Sequence, residues 1–175
     1  MDLSTFYAVV SATCFTLVGL WWTAIDRRRD LLVSPGARRA VGGVYLTFFL
    51  PGLMGLFAQI DPGSAWLWRI TFAAAAVLGA WSTLRLIQVD RGAGARGPFR
   101  RNRWLVAVLY AVIFVVGAAP ELAESLGLNA LRAAGIAIVC LVALGHGLAW
   151  ELLTTVAPTG QHLPSPASGS DEQTL

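Results

Sequence analysis

Four positions in this 175-residue chain carry groups that could do chemistry: His146, Glu151, Pro51 and Arg69. His146 stands between Gly145 and Gly147 in a long apolar run, where an ionisable ring could pass a proton or hold an ion. Glu151 lies in the same run, but on one helix at 100° per residue their side chains point about 140° apart. They could share a proton only through another helix or a water molecule. Pro51, in Leu50-Pro-Gly-Leu-Met-Gly55, removes an amide donor and leaves the Thr47 carbonyl without its helical bond. A kink is expected there, and broken helices at mid-depth line substrate sites in many transporters. Arg69 continues a stripe of Ala73, Ala76 and Ala80, which would turn its guanidinium into a bundle and towards Glu121 or Glu124.

Each of the four also has a purely structural reading. His146 would be a neutral ring bonded to a neighbouring helix, and Glu151 would meet a loop arginine or solvent. Pro51 would be a simple kink of the kind membrane helices tolerate. Arg69 would snorkel to the interface beside Trp66 and Trp68.

Enzyme templates are missing: there is no HExxH helix, GxSxG elbow, phosphate-cradling loop or mid-span aspartate pair. The two cysteines, Cys14 and Cys140, form no CxxC pair and fit packing positions. The chain has no lysine, which excludes a retinal-type Schiff base, and His162 is the only other histidine, which argues against a haem held by two. No catalytic residue, metal or cofactor is expected.

The elements that must position these residues are five apolar runs. Hydrophobic residues make up 56% of the chain and charged residues 13%, about half of what a soluble domain carries. The expected fold is all-α: a polytopic membrane protein whose five transmembrane helices cover roughly 3–25, 40–60, 65–89, 103–119 and 131–156. The apolar runs leave no room for a globular catalytic module. Residues 158–175, rich in Pro, Ser, Gly and acids, read as a disordered tail.

Nearly all the arginines fall in two gaps, Asp26 to Arg39 and Asp90 to Arg103. Short basic loops stay cytoplasmic, so the N-terminus is expected outside and the C-terminus inside. No basic residue precedes the first run, which fits an uncleaved span rather than a signal peptide. The expected location is the cytoplasmic membrane of a bacterium. Trp66 and Trp68 would form an outer aromatic belt, and Trp22, Trp104 and Trp150 an inner one.

The net charge of +3 is accounted for by this topology, and no nucleic acid is expected as a partner. Besides the bilayer itself, anionic lipids could gather at Arg27, Arg28, Arg29, Arg100, Arg101 and Arg103. Small residues mark packing faces: Ala75, Gly79 and Thr83 on the third span, which is expected to be central, and Ser4, Ala8 and Ser11 on the first.

Five spans, this length and seven tryptophans resemble the tryptophan-rich sensory or translocator proteins, which bind porphyrins and sterols. That family carries a long first loop and second helix rich in Trp and Pro, whereas residues 26–39 here hold one proline and no tryptophan. The resemblance stops at helix count and assigns no family.

The functional expectation is a small non-enzymatic membrane component that packs with itself or another membrane protein. Two alternatives stand beside it: a carrier or channel for protons or a small solute built on Pro51 and His146, and an intramembrane binding protein for lipid or another apolar ligand.

Overall fold

The computed structural model describes residues 2–60, 65–90, 103–125 and 127–154. The described residues are helical and contain no strand. Helix α1 is Leu3–Arg27. A 3-10 turn, Arg29–Leu32, leads to α2, Pro35–Ile60. Then come α3 (Ala65–Asp90), α4 (Trp104–Ala118), the short α5 (Pro120–Ser125) and α6 (Ala130–Thr154).

Four of these helices, α1, α2, α3 and α6, are long and apolar enough to cross a membrane. The fourth expected span is shorter. With 15 residues, α4 reaches only about 22 Å at 1.5 Å per residue, against a hydrocarbon core of about 30 Å.

Helix ends follow local chemistry. Asp2 caps α1 by accepting from the Thr5 amide at 2.6 Å. The second helix begins at Pro35, five residues before the apolar run. Ser34 accepts the Ala37 amide at 3.1 Å, and Pro35 takes the first helical position, where a missing N–H costs nothing. Arg38 and Arg39, expected in a loop, therefore sit on the first turns of α2.

The connection expected between Pro120 and Ala130 also holds a helix. Its final turn closes on Gly127, at φ 73°, with the Gly127 amide donating to Glu124 and the Leu128 amide to Ala123. Residues 61–64, 91–102 and 155–175, which include most of the second arginine loop and the expected tail, lie outside the described residues.

The expectation that α3 is central is not met. α2 packs against α1, α3 and α6, whereas α3 packs against α2 and α4. In their most apolar stretches 56% of α2 is buried but only 28% of α3, which leaves Ile70, Val77, Leu78 and Leu84 exposed. The small residues of α3, Ala75, Ala76, Gly79 and Thr83, do form its inner face. They make one side of a peripheral helix, while α2 buries residues around most of its circumference.

On α1 the buried face is Tyr7, Ser11, Cys14, Trp21 and Ile25, not Ser4 and Ala8. These positions alternate by three, four and seven residues, the spacing of helices that cross at a shallow angle with interlocking side chains. Trp68, expected at the interface, is buried edge-on against Phe72, with ring centroids 5.6 Å apart. Trp22, Trp66, Trp104 and Trp150 are exposed, as an interfacial belt requires.

Candidate functional site

Pro51 lies in an unbroken helix. The assignment of α2 runs through it from Pro35 to Ile60, so the interruption that lines transporter sites is not formed. The ring is fully buried, and the two glycines after it let α1 come close. A Cβ on Gly52 would lie 3.2 Å from Cys14 Cβ, and one on Gly55 would lie 2.9 Å from the Tyr7 carbonyl. Ser11 completes this contact by donating to the Gly52 carbonyl at 2.8 Å. Leu50-Pro-Gly-Leu-Met-Gly55 is a docking surface for α1.

His146 is exposed on α6 and bonds to its own helix rather than to a neighbour. Its Nδ1 lies 3.0 Å from the Val142 carbonyl, which can only accept, so the proton of a neutral ring sits on Nδ1. The ring also meets Phe48 of α2 edge-on, with centroids 5.3 Å apart. Glu151 is half-buried and turns one carboxylate oxygen out of water. The two residues thus occupy different environments on one helix.

Arg69 does turn towards the bundle, but its acceptors are backbone carbonyls rather than Glu121 or Glu124. Nε donates to Gly117 at 3.2 Å and a terminal nitrogen to Ala118 at 2.9 Å. These carbonyls close α4, where the last turn has no intrahelical donors and the helix dipole is negative. Because α4 is short, its end would fall within apolar depth, where unmet carbonyls are expensive. Arg69 caps α4 from the neighbouring helix.

Among the described residues no hydrogen bond joins Pro51, His146 and Arg69. Pro51 lies about one turn from Phe48, the α2 residue that His146 meets, whereas Arg69 lies at the α4 terminus. No cluster of three or more His, Cys, Asp or Glu residues is placed to hold a metal there. Cys14 is buried and Cys140 exposed, both as free thiols.

Other polar side chains, not singled out in the sequence, tie the helices together. Tyr7, 1% exposed, donates its hydroxyl from α1 to the Leu131 carbonyl of α6 at 2.6 Å. Tyr110 of α4 reaches the Leu46 carbonyl of α2 at 3.4 Å, and the Trp21 indole reaches Val41 at 3.3 Å. The signal was a hydroxyl or indole tip inside an apolar run, which must find an acceptor because lipid offers none.

The first arginine loop is internally paired. Arg28 bridges Asp30 at 3.0 Å and donates to the Leu153 carbonyl at 2.7 Å, while Arg29 meets Asp26 at 2.6 Å. The Arg28 guanidinium, hydrogen-bonded to Asp30, holds that carboxyl below the ordinary aspartate range. Arg27 is exposed and Arg103 is buried at 8% exposure. Arg100 and Arg101 lie outside the described residues.

Compared with known proteins, the chain matches no family model, no curated protein and no solved structure.

Proposed function

We propose that the chain is a five-span protein of a bacterial cytoplasmic membrane, with its N-terminus outside and its arginine loops inside. In this reading it acts as a non-enzymatic component that assembles with itself or with another membrane protein. One observation carries the functional part. Tyr7, Ser11, Trp21, Arg69 and Tyr110, polar groups that could have lined a pathway, each end on a backbone carbonyl of a neighbouring helix. Their hydrogen bonds are used in assembly, and the exterior keeps broad apolar faces such as Val77, Leu78, Trp81 and Leu84 on α3.

The carrier reading needs Pro51 and His146 on a shared polar route. The continuity of α2 and the bond of His146 to its own helix speak against it.

Native mass spectrometry of the full chain released from membranes tests the assembly reading. The expected result is a homo-oligomer or a stoichiometric partner, and an inert monomer overturns it. Proton flux in vesicles that vanishes in His146→Ala would establish the carrier instead. For topology, Gly63→Cys should react with an impermeant maleimide on whole cells and Gly36→Cys should not. Labelling of position 36 reverses the orientation.

A further inference from the structure

Arg28 and Arg29 of the first loop are paired to Asp30 and Asp26, but another two basic side chains line one groove. Arg39, near the start of α2, and Arg85, near the end of α3, line the same cavity of about 460 Å³ with Gly42, Tyr45, Leu46 and Trp81. Its size falls in the range of small-ligand sites, which run from about 300 to 1,000 Å³. Among the described residues neither guanidinium has a hydrogen-bond or ion-pair partner, and both are exposed. No acidic residue occurs between Pro35 and Ile60 or between Ala65 and Val89.

The walls of the groove are apolar and aromatic, and two adjacent glycines open it. Gly43 lets the helices touch, since a Cβ there would press on Leu86 Cδ1. Gly42, one residue round the helix, would place a Cβ in open space. The helices therefore meet on one side of the pair and part on the other.

Arg39 and Arg85 lie four and five residues from their helix ends, roughly 6–8 Å along the axis at 1.5 Å per residue. Both guanidinium groups therefore sit at the end of the bundle that carries the arginine loops, which the membrane reading puts at the cytoplasmic interface.

We infer that this groove binds an anionic phospholipid, its phosphate between Arg39 and Arg85 and an acyl chain laid over Gly42 against Leu46 and Trp81. Two unmatched cations at one depth supply the charge complement, and basic pockets between spanning helices recognise lipid phosphates in this way. The inference rests on the membrane reading above but not on the assembly reading.

The test equilibrates the detergent-solubilised full chain with mixed micelles of phosphatidylglycerol and phosphatidylcholine and counts retained lipids by native mass spectrometry. Wild type should retain phosphatidylglycerol preferentially. At roughly the worth of one basic residue near a charged surface, Arg39→Gln and Arg85→Gln should each reduce that retention about fivefold. Gly42→Leu, which grows into open space, should displace the acyl chain without disturbing the α2–α3 contact. Arg38→Gln removes the same charge from the same turn but off the groove, and should leave retention unchanged.

Equal retention of the two lipids by wild type overturns the proposal, as does an Arg38→Gln loss equal to that of Arg39→Gln. Displacement by excess inorganic phosphate would overturn it in favour of a soluble-anion site. The same spectra report subunit mass, so a monomer selective for phosphatidylglycerol refutes the assembly reading alone.

Discussion

Two stretches of α2 use the same residue type to opposite ends. At Gly52 and Gly55 the missing side chains are filled by α1, whose Cys14, Phe15, Ser11 and Tyr7 backbone close over them. At Gly42 and Gly43 only one of the two is covered, by Leu86, and the other opens into a groove bordered by guanidinium groups. A glycine in a membrane helix permits close approach, but what approaches depends on the neighbour. Near mid-depth the neighbour is a helix. At the arginine-bearing end it is an open groove lined by two guanidinium groups.

Substitutions that restore a Cβ separate these cases. The largest effect is expected at Gly79 of α3, the tightest of the filled positions, where a Cβ would press on the hydroxyl end of the Tyr110 ring. That ring is 1% exposed and its hydroxyl is held by Leu46, so it has nowhere to swing. Gly79→Ala should cost about 3 kcal/mol, the upper end of ordinary overpacking, measured by denaturant unfolding in detergent. A loss below about 1 kcal/mol would mean that α4 can slide.

Gly55→Ala is expected to cost less, about 1–2 kcal/mol, because overpacking against the Tyr7 carbonyl is partly offset by the better helix propensity of alanine. The neighbouring bond offers a check on the mechanism. If Gly55→Ala pushes α1 away, the bond from Ser11 to Gly52 is already broken and adding Ser11→Ala should cost almost nothing more. Full additivity of the two would show that α1 stays seated.

Gly42→Ala should go the other way. With open space at the site, alanine adds no clash and raises stability by up to about 1 kcal/mol through helix propensity alone. A destabilising result would show that the groove is closed in the working protein, and would remove the contrast with Gly55.

Much of the architecture was legible because crossing oil demands long apolar runs, and those runs are conspicuous. Helix starts at Pro35 and Pro120 were written as Ser34-Pro35 and as Pro120 followed by Gly127, signals that lay beside charged or short segments and read as loop. The central place of α2 was not legible. Its burial comes from three neighbours at once, so no single face of its sequence stands out, whereas α3 displays a stripe of small residues that faces one side only.

Among the candidate residues, the types and environments of His146 and Arg69 invited chemistry, but their acceptors proved to be main-chain carbonyls. Every residue offers such an acceptor, so a sequence cannot point to one. Tyr7 and Tyr110 likewise end on main-chain carbonyls, those of Leu131 and Leu46.

The smallest effect tests the paired arginine loop that contrasts with the unpaired groove. The Asp30 carboxyl is held below its ordinary value of 3.8, first by its hydrogen bond from Arg28 and then by the charge of that guanidinium. A carboxyl with a folded-state value below its unfolded one contributes stability that is complete above the unfolded value. The contribution is lost as pH falls through the folded value. Between neutral pH and about 5 this pair should leave stability unchanged, and below about 4 a small acid-sensitive loss should appear. Asp30→Asn should remove that loss while lowering stability slightly at neutral pH. Both side chains are well solvated, and added salt should shrink the difference further. Arg28 keeps its bond to the Leu153 carbonyl in either protonation state, so the loop should stay docked on α6 throughout. An acid transition of full size in Asp30→Asn would assign the sensitivity to another carboxylate.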